Sequence, residues 1–194
     1  MILLFIYPLL AIIIILFNQR QIRLISNRKY KLTNFLIIGA LSTAMFMTVG
    51  TIENYSMFNL NEIWVPFIVI AIIVFGIFYR TGMIGWPPGA RKVDVSFLIP
   101  FALCYGFGST RVINCTFDSS TPQTYKVVVV NRRIYYGTKG HTTDYLTLTQ
   151  WGPKPSAEET EVDPGLYNQT KIGDTVQVHF SKGLLNMPWF VVTK

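Results

Sequence analysis

Two histidines, two cysteines, ten acidic residues and a scatter of serines are the groups in this 194-residue chain that could do chemistry. His141 stands in the turn-like "GTKGHTT" and His179 in "KIGDTVQVHF". A catalytic zinc needs three protein ligands and a structural zinc four. Two histidines in the tail, with Cys115 set apart just beyond an apolar block, make too poor a set for either, so no metal ligand is expected. Cys104 and Cys115 are eleven positions apart, about 16 Å along a helix axis and beyond disulfide reach. They read as small apolar fillers. Nucleophilic catalysis needs a serine or cysteine beside an oriented base; Ser119, Ser120, Ser156 and Ser181 stand in no nucleophile-elbow setting. Glu158, Glu159 and Glu161 form an acidic run that reads as a solvated edge. The glycine patterns that cradle phosphate are absent. The expectation is a protein with no catalytic residue, no metal and no cofactor.

Binding is the chemistry that is left. Residues 137–151, "GTKGHTTDYLTLTQW", alternate after the turn. Tyr145, Thr147, Thr149 and Trp151 share one face of a strand, and Leu146 and Leu148 the other. In "KIGDTVQVHF", Val176, Val178 and Phe180 point one way while Thr175, Gln177 and His179 point the other. A strand with one dry and one wet side makes Tyr145, Thr147, Thr149 and His179 the candidate contact residues. Tyr135, Tyr136, Tyr145, Trp151, Tyr167 and Trp189 are many aromatics for a small domain. Most of them must be core, because a domain this small has little else to bury.

Five strands must position those residues: 125–136, about 144–151, a short one near 159–162, 175–180 and "WFVVT" at 189–193. Gly173-Asp174 supplies a turn, and "DPGLYNQT" a turn of helix starting at Asp163 with Pro164 at the tolerated first position. The expected tail, 113–194, is a small five-stranded antiparallel β-domain, barrel-like or a curled sheet.

Before the tail come four apolar blocks, 1–17, 34–52, 61–79 and 94–112, each near the roughly 20 residues a membrane span needs. No ionisable residue falls in the interior of any of them, which argues against a pump or coupled transporter. Small residues in the second (Gly39, Ala40, Thr43, Ala44) and fourth (Gly106, Gly108, Ser109) suit close helix packing. "GWPPG" at 85–89 reads as a rigid turn. The net charge is +7. Residues 1–109 hold eight Lys or Arg against three acids, and residues 110–194 nine against seven. The excess sits in short loops between apolar blocks, not in the basic patch that nucleic-acid binding requires. Read by the positive-inside rule, the loops place the N-terminus and the tail outside the cytoplasm. The expected fold is a membrane protein, a four-helix transmembrane bundle over 1–112 followed by the β-domain.

"YLTLTQWGP", then "GLYNQTKIGDTVQVHF" and a closing "GLLNMPWF" resemble a group of uncharacterised bacterial inner-membrane proteins with a few helices and a C-terminal β-domain. The resemblance covers about 80 residues and implies a multi-pass protein of the bacterial inner membrane; it brings no activity and no site residues. The expected function is non-enzymatic. The β-domain would be presented in the periplasm to a protein partner, the envelope or another copy of the chain, with the lipid bilayer as the other partner and no nucleic acid. The alternative is an accessory or regulatory subunit of a membrane enzyme or transporter, acting through its helices.

Overall fold

The structure, a computed structural model, describes residues 2–17, 31–80, 98–137 and 142–194. His141, the "GWPPG" turn and most of the basic residues of the first and third loops lie outside the described residues. The chain divides into two compact units, Met1–Ile52 with Leu60–Phe117, and Glu53–Asn59 with Asp118–Lys194.

The first unit holds α1 (Ile2–Phe17), α2 (Lys31–Asn54), a 3-10 turn (Asn61–Ile63), α3 (Trp64–Arg80) and α4 (Leu98–Thr116). Its core is Ala40, Ala44 and Met47 of α2, Val74 of α3, and Phe101, Ala102, Tyr105 and Val112 of α4. Glycines set the helix spacing. A Cβ on Gly108 would stand 2.8 Å from the Met47 methyl and 2.9 Å from the Thr48 hydroxyl, and one on Gly106 would stand 3.1 Å from the Ala71 Cβ. With no Cβ there, α2 and α3 both approach α4 closely, and the Thr48 hydroxyl donates to the Cys104 carbonyl at 2.8 Å. The Tyr105 hydroxyl donates to the Phe5 carbonyl at 3.3 Å. Burial pushes its pKa up to about 12, so it remains a donor at any ordinary pH.

The transmembrane reading is overturned. Among the described residues no helix is long and apolar enough to cross a membrane. α1 has 16 residues and α3 has 17, which at 1.5 Å per residue rise about 24–26 Å against a hydrocarbon core of about 30 Å. α2 is longer, but its apolar stretch is broken by four threonines and a serine and closes on Glu53 and Asn54. α4 carries Ser109, Thr110, Arg111 and Asn114 in its second half. The four-helix transmembrane bundle, the membrane-protein class and the multi-pass inner-membrane localisation, with its outside N-terminus and tail, are corrected accordingly.

Arg111 shows what that polar half does. It is only 4% exposed, and its Nη2 donates to the Thr51 carbonyl at 2.8 Å. Thr51 belongs to the last turn of α2, where four carbonyls lack helical partners and the helix dipole is negative. The guanidinium thus serves the end of α2. Burial draws its pKa down and the neighbouring Cys115 sulfur pulls it back up.

Among the described residues the second unit is an antiparallel sheet of six strands rather than the expected five. They are β1 (Ser56–Met57), β2 (Gln123–Tyr136), β3 (Thr142–Leu148), β4 (Glu158–Val162), β5 (Thr175–Ser181) and β6 (Trp189–Thr193), in the order β1-β6-β5-β2-β3-β4. The unexpected strand is β1, from the segment between α2 and α3; it pairs with β6 through Ser56↔Phe190 and Met57↔Trp189. A short helix, α5 (Pro164–Gln169), follows β4, with the Asp163 carboxylate accepting from the Gly165 N–H at 2.7 Å.

β2 joins the two halves of the sheet. Its first half pairs with β5, from Gln123↔Phe180 to Val128↔Thr175. Its second half pairs with β3, from Asn131↔Thr147 to Tyr136↔Thr142, after a bulge between Val129 and Asn131. The bulge inserts an unpaired residue and bends the strand, which curls the sheet around one core. That core comprises Val127 and Val129 of β2, Leu146 and Leu148 of β3, Val176 and Val178 of β5, Phe190 of β6, and Trp151, Val162 and Tyr167.

Asp118 ties the end of the sheet together. Its carboxylate accepts from the Ser120 N–H at 2.8 Å, the Gly183 N–H at 3.0 Å and the Trp189 indole N–H at 3.0 Å. Desolvation pushes its pKa up, but these donors outweigh it and hold the carboxyl below its usual 3.8. A depressed folded-state pKa stabilises the fold above the unfolded value, and that stability is lost as pH falls through the lower folded value. Asp118→Asn is therefore expected to lower stability at neutral pH and to flatten its fall below about pH 4, measured by urea unfolding across a pH series; a parallel profile would remove Asp118 from the titration.

Candidate binding surface

The four residues expected to form one contact face are not brought together. Tyr145 and Thr147 lie on β3 opposite Arg133 and Asn131 of β2. His179 lies on β5 opposite Thr124, at the other end of β2. Nine positions are about 30 Å measured along a strand, so Tyr145 and His179 lie beside opposite ends of β2. His179 is also engaged, with Nδ1 3.0 Å from the Thr124 hydroxyl and Nε2 3.0 Å from the Thr193 hydroxyl. It cross-braces β2, β5 and β6, and the tautomer decides which nitrogen donates.

Thr149 and Trp151 leave the alternation. β3 ends at Leu148. The Thr149 N–H donates to the Val128 carbonyl at 3.0 Å, and its hydroxyl accepts from the Val128 N–H at 3.1 Å. The hydroxyl takes the place of a ladder carbonyl, the chain turns, and the Trp151 side chain enters the core at 7% exposure. Gly152, at φ +37°, then allows a tight turn against the Tyr125 ring, closed by mutual main-chain bonds between Trp151 and Lys154.

Charged and aromatic groups line the outer face of β2–β3–β4. The Arg133 guanidinium reaches over β3 to the Glu159 carboxylate at 2.6 Å, with its carbon 5.4 Å from the Tyr145 ring centre. On the inner face, Arg132 stacks 4.1 Å above the Tyr167 ring and donates to the Tyr167 carbonyl at 2.7 Å. The exposed Arg133 pair contributes less than about 1 kcal/mol, but both arginines already have partners.

What stands open is the end of β2. The pairing with β5 stops at Val128, and Val129 bonds to Gly173 and Asp174. From Asn131 to Tyr136, among the described residues, the strand pairs with β3 on one side only. β4 reaches no farther along β3 than Asp144↔Val162, so the hairpin end overhangs the sheet. Ile134 and Tyr136 lie on the inner face, two and four positions beyond Arg132, yet the core has ended there and they are 37% and 75% exposed. Tyr135, on the outer face, is 56% exposed. Of the six aromatics singled out in the sequence, Trp151 and Tyr167 are buried, Tyr145 and Trp189 half-buried, and Tyr135 and Tyr136 exposed. No signal in the sequence separates the last pair from the others; the separation comes from the overhang.

Among the described residues no group of three or more His, Cys, Asp or Glu is placed to hold a metal ion. The chain matches no protein-family model, no curated protein and no solved structure.

Proposed function

We propose that the chain is a non-enzymatic interaction protein whose β-unit binds a polypeptide by strand addition along Asn131–Tyr136. The observation that carries this reading is the one-sided pairing of that segment, flanked by exposed Ile134, Tyr135 and Tyr136. An unpaired strand edge offers a row of N–H and C=O groups to another chain, and side chains alternating from it give specificity. Natural edges are usually short, charged or covered; this one has charge, but its arginines lean onto Glu159 and Tyr167, and Tyr135 and Tyr136 remain exposed.

The test is a photoactivatable phenylalanine at position 135 of the full chain. Irradiation is expected to give a discrete adduct from position 135 and none from position 126, which is exposed on the outer face of β2 at its other end. Equal adducts from both positions, or none from 135, would overturn the reading.

A second reading has its own support. On α3, Val65, Ile68, Val69, Ile72 and Ile73 are exposed at a spacing that forms one stripe, and exposed apolar stripes mark contact sites. An accessory subunit acting through its helices would give its adduct from position 69 rather than 135.

A further inference from the structure

The geometry points to a second copy of this chain as the strand that adds to β2, in one register, with Ile134 on the twofold axis. The inference rests on the strand-addition reading above and names its partner. In an antiparallel pair, residues directly opposite share a face. If the inner faces of both copies stay on the same side of the joint sheet, each β2 residue meets one of the same parity. With the axis at Ile134, Ile134 meets its own copy, Arg133 meets Tyr135 and Arg132 meets Tyr136. Each arginine, which already lies over Tyr167 or Tyr145 of its own chain, thus has a second aromatic ring directly opposite it from the other chain, and the centre is an apolar pair.

The neighbouring registers lack this match. An axis at Arg133 sets two guanidinium groups directly opposite, which is destabilising. An axis at Tyr135 places Arg133 opposite Gly137 and forfeits the arginine–tyrosine pairs. A strand of another protein rich in acidic residues fits less well than a second copy, because Arg133 already holds Glu159 and Arg132 already holds the Tyr167 carbonyl. Pairing β2 with its copy makes one continuous antiparallel sheet, β4-β3-β2-β2-β3-β4, and covers Ile134 and Tyr136 of both overhangs.

The full chain with Cys104 and Cys115 replaced by alanine, and with either Ile134→Cys or Tyr136→Cys added, tests this under mild oxidation. Ile134→Cys is expected to yield a disulfide-linked dimer, since the two sulfurs meet across the axis. Tyr136→Cys is expected to yield none, because its copy is displaced by four residues, about 13 Å, although Tyr136 is the more exposed site. Sedimentation should show a concentration-dependent dimer in the unmodified chain, weakened at least about tenfold by Ile134→Glu, which sets like charges across the axis. A monomer at every concentration with no Ile134→Cys disulfide, or equal disulfide from both variants, would overturn the proposal. In the monomer case, a photo-adduct from position 135 to a foreign polypeptide would leave the strand-addition reading standing, and the absence of any adduct would remove both.

Discussion

Replacing Trp151 by alanine is expected to cost the β-unit about 3–5 kcal/mol, the range for truncating a buried aromatic. The indole lies 5.2 Å from the Phe190 ring, 5.6 Å from Tyr125 and 6.0 Å from Phe180, so it joins side chains of β2, β5 and β6. Those strands are held in register by their own ladders and cannot close on the space left behind, which is the circumstance that makes such a cavity expensive. Urea unfolding followed by far-UV circular dichroism, or amide exchange at Val127 and Val178, measures the loss. A change below about 1 kcal/mol would be the response of a surface residue and would restore Trp151 to the outer face.

Arg111→Glu is the second large effect, in the helical unit. The substitution takes the donor away from the Thr51 carbonyl and puts a carboxylate beside the negative end of the α2 dipole. A buried charge without an opposite partner costs about 3–5 kcal/mol, and here the backbone field adds to the penalty. Faster amide exchange through the last turns of α2 and the facing half of α4 is expected, with exchange in the β-unit core as the internal reference. Arg111→Lys keeps the charge and one donor and should cost less. If Arg111→Glu left exchange in α2 unchanged, the guanidinium would have no part in holding that helix end.

Much of the sheet is legible in the residues, because β3, β4, β5 and the first half of β2 each have one dry face. Leu146 and Leu148 alternate with Tyr145 and Thr147, and Val176 and Val178 with Gln177 and His179; burial follows the same parity. The pattern misleads where a side chain substitutes for backbone. At Thr149 the hydroxyl ends the ladder and reverses the faces, so extending the alternation to Trp151 puts a core residue outside. The bulge in "VVVVNRR" leaves one weak mark, Asn131, a residue type that strands otherwise avoid. β1 is missed because two residues carry no period.

In the helices, apolar content suggests membrane spans, but length and the polar half of α4 count against crossing a membrane. Arg111 is the instructive residue: at a block's edge in sequence it looks like a boundary marker, and in three dimensions it is a buried cap. The candidate contact face fails for a related reason. Parity shows that Tyr145 and His179 both point outward from their strands, but says nothing of strand order, which sets them at opposite ends of β2.

The smallest strand has a temporal consequence. Ser56 and Met57 find their partners Phe190 and Trp189 about 130 positions downstream. At a translation rate of roughly 5–20 residues per second, the segment waits about 7–25 s for them. Bringing ends so distant together adds only logarithmically to the closure cost, so the delay is kinetic rather than energetic. During that interval Tyr55 and Phe58 lack the ring neighbours Trp189 and Phe180 that later take them up, so the nascent chain carries two aromatic rings whose ring partners are among the last residues made.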